Sequence, residues 1–249
     1  MENSKIEPAR AKTQGYFRAK CPSGHLYPCP KVRSFRPWGI KAIIFDLGNV
    51  LIDFDHHVAA KKLSKLTNKT GEEIYNLFFD SPVTHDFESG KISPEDFFSK
   101  VKATLNLSMS YDQFVPVWNE IFFFSEKNLQ VFNIANELKK RYRIALLSNI
   151  NILHFEYIKE TFPVLEAFHD IVVSFEVHLI KPEPAIYKRT LEILSASADE
   201  TFYTDDRKEL VESAGTLGIN SFQFIGVEDL KNDLKACGIN VGNSKYERQ

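Results

Sequence analysis

The chain has 249 residues, 43% of them hydrophobic and 26% charged, with a formal net charge of −2. That length can bury a full core, enough for one large domain or one and a half. No run of 18 apolar residues occurs, so neither a helical membrane span nor a membrane partner is expected, and the near-neutral charge speaks against nucleic acid.

The balance hides an asymmetry. Residues 1–38 carry eight Lys or Arg against two Glu, a local net of +6, which leaves −8 on the other 211 residues. The same segment holds five of the eleven prolines and shows no sustained period of 2 or 3.6. It reads as a loosely ordered basic extension, with an organellar transit segment as the weaker alternative. Cys21, His25 and Cys29 lack a fourth ligand and match no standard zinc spacing. Three cysteines in all, two of them in this extension, argue against a disulfide framework and for a reducing, cytoplasmic setting.

The first strong element follows. Ala42 to Phe45 is an uninterrupted apolar run that stops at Asp46 and is followed by Gly48 and Asn49. This pattern describes a buried parallel strand ending in a tight loop, with a carboxylate delivered where open α/β sheets bind ligands. Asp46 is the candidate nucleophile. From Val50 to about residue 128 the pattern is helical. A helix is expected from about His57 to Leu66, and three further starts place a hydroxyl three residues ahead of an acid or amide: Thr70 to Glu73, Ser93 to Asp96 and Ser110 to Gln113. Together they predict a four-helix insert whose rings, among them Phe78, Phe87, Phe97, Phe114, Trp118 and the run Phe122 to Phe124, pack a small core.

Beyond Ser125 helices and strands alternate. A helix over 126–140 precedes the strand Arg143 to Ser148, then come a helix around His154 to Glu160 and the strand Ile171 to Ser174. Lys181-Pro182 leads into a helix, the strand Thr201 to Thr204 ends at Asp205-Asp206, and a helix closed by Gly218, the strand Ser221 to Ile225 and a helix closed by Gly238 complete the chain. The fold class is therefore α/β, a doubly wound parallel sheet with the helical insert after its first strand. The expected organisation is a core from 39–54 and 126–242, a cap over 55–125 and a tail over 243–249.

All strand carboxyl ends of a parallel sheet emerge on one edge, so Asp46, Ser148, Lys181, Asp205 and Asp206 can converge from distant positions. Three carboxylates make a hard oxygen site suited to Mg²⁺. A hydroxyl, backbone amides and a lysine supply the donors that a transferring phosphoryl group needs.

These motifs resemble those of the haloacid dehalogenase superfamily over residues 40 to about 240. Phe45-Asp46-Leu-Gly-Asn-Val50 resembles its first motif, Leu147-Ser148-Asn149 its second, Lys181-Pro182 its third and Tyr203-Thr-Asp205-Asp206 its fourth. The Asp-Leu-Gly-Asn-Val run, the segment Phe87 to Ser93 and Ser148-Asn-Ile-Asn151 are similar to the bacterial α-D-glucose-1-phosphate phosphatase branch. The resemblance implies a Rossmann-like core with a small cap, and an aspartyl-phosphate on Asp46 during hydrolysis of a small sugar phosphate. It further implies that Ser148 and Lys181 hold phosphate oxygens, that Asn149, Gly48 and Asn49 contribute to substrate binding, and that Mg²⁺ bridges Asp46, the Gly48 carbonyl and Asp206 with help from Asp205. A monomer or homodimer is expected.

One departure stands out. Most phosphatases of the superfamily have a second aspartate two positions after the nucleophile, as general acid and base; here that position is Gly48. Such a group contributes roughly 10²- to 10⁴-fold in rate. Either Asp53, Asp55, His56, Asp86 or Glu88 replaces it, or the leaving oxygen needs little help, as in a sugar 1-phosphate. The alternatives are a catalytically weakened protein that binds phosphate or a partner, and a 2-haloacid dehalogenase, against which the paired acids argue because they repel a carboxylate substrate.

Overall fold

A computed structural model describes residues 39–78 and 81–242. The basic extension with Cys21, His25 and Cys29, and the tail 243–249, lie outside the described residues. Strand β1 (Ala42–Phe45) is followed by β2 (Asp53–Phe54) and helices α1 (His56–Ser64), α2 (Gly71–Phe78), α3 (Pro82–Glu88), α4 (Pro94–Leu105) and α5 (Tyr111–Asn119). The chain returns through β3 (Phe122–Phe123) to α6 (Glu126–Lys139), β4 (Arg143–Ser148) and α7 (Ile152–Thr161). Then come β5 (Asp170–Val173), α8 (Ser174–Val177), α9 (Pro184–Leu194), β6 (Thr201–Asp205), α10 (Lys208–Thr216), β7 (Asn220–Gln223) and α11 (Val227–Ala236).

The main sheet has five strands, all parallel, in the order β5-β4-β1-β6-β7. β1 lies at its centre, where Phe45 registers with Leu146 on one side and Thr204 on the other. Its side chains alternate between two cores. Ile43 and Phe45 join Ile144, Leu146, Val131 and Leu234 on one face, while Ala42 and Ile44 join Ala145, Leu147, Ile186 and Tyr187 on the other. A strand covered on both faces has no solvent side, which is why the run is apolar without interruption. β7, at an edge, carries the half-buried polar sequence Asn-Ser-Phe-Gln.

Each of the three helix starts read from hydroxyl and acid spacing is present. Thr70 Oγ1 accepts from the Glu73 N–H at 3.2 Å while Glu73 accepts from the Thr70 N–H at 2.7 Å. Ser93 caps α4, and Ser110 with Gln113 forms a complete capping box at α5. The expected count of four insert helices is corrected to five among the described residues. The additional one, α3, is capped by Ser81 with Pro82 in its first turn, a start signal of the same kind in a helix of only seven residues. The expectation of helix through residue 128 also fails at Phe122–Phe123, which pairs antiparallel with Asp53–Phe54, Phe54 opposite Phe122. Two-residue strands carry no readable alternation.

The insert has its own core, built on Phe87, Phe97, Phe114 and Trp118 with Ile74 and Leu105. Rings at Phe87 and Phe97 stack 4.4 Å apart. It is seated on the sheet domain through α8: the Ser174 hydroxyl donates to the Glu88 carbonyl, and Gly90, at φ +68, packs its backbone against the Phe175 carbonyl. A Cβ at Gly90 would stand 2.3 Å from that oxygen. Gly90→Ala is therefore expected to lower unfolding free energy in urea by more than about 2 kcal/mol, from the left-handed backbone and the collision together. Gly215→Ala, inside α10 with nothing within 4 Å, should instead stabilise by about 0.5–1 kcal/mol.

Candidate active site

The carboxyl ends of β1, β4 and β6 bring the sequence candidates together. Asp46 directly follows β1 and its N–H donates to the Thr204 carbonyl at 3.0 Å, which ties the residue to the neighbouring strand β6. Ser148 ends β4 and Asp205 ends β6. Lys181 enters from the loop before α9, preceding a cis proline bond to Pro182. Its ammonium lies 2.7 Å from Asp46 Oδ1, 2.6 Å from Asp205 Oδ2 and 3.1 Å from the Leu147 carbonyl. All of these side chains are buried, and Asp206 is half-buried beside them.

Asn149 explains how the lysine is held. Its Oδ1 accepts from the Lys181 N–H at 2.8 Å and its Nδ2 donates to the Lys181 carbonyl at 2.9 Å, clamping the residue by its backbone. Ser148 Oγ lies 3.5 Å from the Asn149 carbonyl, too far for a firm bond, and Ser148 lines the cavity over Asp46. Asp205 has both oxygens engaged: Oδ2 accepts from Lys181 and the Tyr203 hydroxyl, and Oδ1 from the Arg207 N–H at 2.9 Å. Asp206 Oδ2 accepts from Asn49 Nδ2 at 2.9 Å.

One carboxylate oxygen from each of Asp46, Asp205 and Asp206 falls within 4.8 Å of the others. Burial, and then the Asp205 charge, push Asp46 up to about 7 against the pull of Lys181. Burial also raises Asp206. Burial alone would lower Lys181, but the two carboxylates outweigh it and hold the ammonium above its ordinary range. Three acids against one lysine leave an excess of negative charge among side chains that are largely buried. The donor set is all oxygen, so the residues fit a hard divalent cation.

A cavity of about 350 Å³ opens over this cluster. Its floor is Asp46, Gly48, Asn49, Ser148 and Lys181, and its roof is drawn from the helical insert, including His56, Tyr75, Thr84, His85 and Glu88. Of the five residues named to replace the missing aspartate, His56 and Glu88 line the cavity. Asp53 pairs with Lys127 and Ser125, Asp55 caps α1, and Asp86 faces Lys91 at 3.6 Å.

Sequence reasoning missed two features. A Cβ at Gly48 would come 2.8 Å from Cε1 of Phe54, so that ring fills the space a second aspartate would need. His154 also lines the cavity, stacked 5.4 Å from Trp118. Asn151 Oδ1 is taken by the His154 N–H, so Asn151 Nδ2 donates to His154 Nδ1 at 3.0 Å; His154 Nε2 then carries the proton and donates to the Trp118 carbonyl at 3.2 Å. Asn151 three residues before His154 was a legible cap signal; Phe54 over Gly48 had none.

The fold and cluster define an α/β protein with an acidic, oxygen-rich site at the switch point of its sheet, roofed by an insert. A model of the haloacid dehalogenase-like hydrolases matches residues 40–218, and the chain belongs to that family. It is similar to a D-ribitol-5-phosphate phosphatase of Bacteroides thetaiotaomicron, 24% identical over 201 residues that cover 78% of this chain and 97% of the relative. A sesquiterpene phosphatase of Aspergillus oryzae is 26% identical over 184 residues, 72% of this chain and 87% of that one. Among solved structures, a HAD family enzyme of Bacteroides thetaiotaomicron in complex with magnesium and inorganic phosphate superposes with a TM-score of 0.65 at 27% identity, covering 74% of this chain and 93% of the other. Neither relative is named for a sugar 1-phosphate, so the similarity to the α-D-glucose-1-phosphate phosphatase branch gains no support from them.

Two predictions follow from this geometry. Gly48→Ala should cost about 1–3 kcal/mol in urea unfolding through crowding of Phe54, and Phe54→Leu in the same chain should recover part of it. Burial lowers His154 to about 3, helped by neighbouring His56, and burial lowers His56 to about 4. Both folded values lie below the ordinary 6.5, so the unfolded chain binds more protons in acid. The contribution of the two histidines is complete above pH 6.5 and is lost as pH falls from there toward 4 and then 3, at about 1.4 kcal/mol per pH unit for His154, while the raised Asp46 and Asp206 act in the opposite sense. Urea midpoints against pH, with His154→Gln flattening the slope, check this.

Proposed function

We propose that this chain is a Mg²⁺-dependent phosphatase for a small phosphorylated metabolite, a sugar or sugar-alcohol phosphate, and that Asp46 is its nucleophile. The observation that carries the reading is Lys181 wedged between Asp46 and Asp205 at 2.7 and 2.6 Å, with Asp206 alongside. Relatives named as phosphatases support it. Mg²⁺ held by Asp46, Asp206 and the Gly48 carbonyl would neutralise phosphate charge and admit a dianion to an acidic pocket. Asp205, its oxygens engaged by Lys181, Tyr203 and Arg207, acts mainly as the lysine's counter-charge.

An oxygen of Asp46 attacks phosphorus in line with the ester oxygen, which departs with its electron pair as the alcohol's oxyanion and takes up a proton. Lys181 and the Ser148 hydroxyl bind the equatorial oxygens. Asn149 fixes the lysine rather than the substrate, and the Gly48 and Asn49 segment forms the floor. Water then cleaves the phosphate from Asp46 and restores the carboxylate. The roofed cavity, near the lower end of small-molecule sites in volume, admits a metabolite and excludes a folded phosphoprotein. With Phe54 packed on Gly48 and His56 of the roof held uncharged by burial, protonation of the leaving oxygen falls to Glu88, or is dispensed with for an acidic leaving oxygen such as that of a sugar 1-phosphate. Three acids against one lysine disfavour a haloacid carboxylate as substrate.

Purified protein is expected to release phosphate from an aryl phosphate and from members of a sugar-phosphate panel, with chelation of Mg²⁺ abolishing the activity and Asp46→Asn lowering it at least about 10³-fold. Release that survives Asp46→Asn sinks the reading. Phosphate binding with no turnover across the panel favours a binding protein instead.

A further inference from the structure

Asn49 is the third residue after the nucleophile and adopts the left-handed backbone region, φ 54. Glycine takes that conformation at least cost, and asparagine is among the few other residues that tolerate it. What asparagine adds is an amide side chain, and here Nδ2 reaches across 157 positions to donate to Asp206 Oδ2 at 2.9 Å. The main chain of Asn49 is equally committed. Its N–H donates to the Ile52 carbonyl at 2.7 Å, and its carbonyl accepts from Lys127 Nζ at 2.8 Å. Lys127, at the start of α6, is anchored in turn by an ion pair with Asp53. The turn after β1 is therefore tied down from two sides, and its one polar side chain is spent on a carboxylate of the acidic cluster.

We propose that Asn49 is a positioning residue that orients Asp206 for a divalent cation, with Lys127 holding Asn49 in place. This departs from the substrate-binding role that the motif resemblance implies. Asp206 is half-buried beside two other acids, a setting in which an unrestrained carboxylate turns away from its like-charged neighbours. A single N–H donor on Oδ2 offsets part of that repulsion, restricts rotation of the group and leaves Oδ1 for the ion. The inference rests on the reading that Asp46 and Asp206 hold a metal, and it concerns which residue prepares Asp206 for it.

The test uses Mn²⁺ as the probe, its binding to the substrate-free full chain followed by electron paramagnetic resonance at pH 7.5. Asn49→Gly keeps the backbone conformation, so the variant folds, and its Mn²⁺ dissociation constant is expected to rise about tenfold, the loss of one charge-assisted hydrogen bond. At saturating metal the substrate KM should stay within twofold of wild type. In an Asp206→Asn background the same substitution should weaken Mn²⁺ binding no further. Unchanged Mn²⁺ affinity combined with a raised substrate KM overturns the proposal in favour of a substrate contact. Wild-type protein that binds no Mn²⁺ overturns the metal reading itself, a result distinct from equal binding by wild type and variant.

Discussion

A lysine ammonium removed from water stands at the centre of this molecule, and most of its construction serves to make that tolerable. Lys181 is almost fully buried, and such a charge costs several kcal/mol unless its protons are all answered. Asp46, Asp205 and the Leu147 carbonyl answer them. Each partner sits at the end of a different strand of one contiguous trio, β4-β1-β6, so the ion cluster forms only when those strands are in register. Asn149 grips the lysine backbone from both sides, which fixes the point from which the side chain reaches its partners. Removing the lysine would leave Asp46 and Asp205 as facing buried carboxylates with no counter-charge, whereas the three groups together hold one another in a rigid arrangement.

Much of this was legible in the sequence because its causes are local. Ala42 to Phe45 had to be a doubly covered strand, and Asp46, Ser148 and Asp205-Asp206 each follow an apolar run directly, so a parallel sheet necessarily collected them. The capping hydroxyls at Thr70, Ser93 and Ser110 named their helices for a similar reason: the cap and its partner lie three residues apart. What escaped depends on pairings between distant segments or on elements too short to show a period. β2 and β3 are two residues each, α3 is seven and α8 is four. The different surroundings of Asp205 and Asp206 were equally hidden, since they depend on what the fold places against each: Tyr203, Lys181 and the Arg207 amide for one, Asn49 for the other; only the motif resemblance told the two acids apart.

The roof of the cavity combines aromatic surface with imidazoles kept uncharged. His154 is locked as the Nε2–H tautomer, stacked near-parallel with Trp118 and edge-on to Phe122 at 5.0 Å. His56 lies 6.3 Å from it and 4.8 Å from Phe54. The site thus has two electrostatically distinct halves. Charge is concentrated at the floor, where the phosphate would lie, and the roof offers rings, uncharged imidazoles and the single carboxylate of Glu88.

The insert joins the sheet domain through one narrow antiparallel ribbon, Asp53–Phe54 against Phe122–Phe123. Entry and exit lie side by side, so everything between them can be lengthened, trimmed or exchanged without moving a single strand of the catalytic floor. A scaffold wired this way separates the evolution of chemistry from the evolution of taste. That separation accords with relatives of the same chain whose names refer to molecules as unlike as a polyol phosphate and a sesquiterpene.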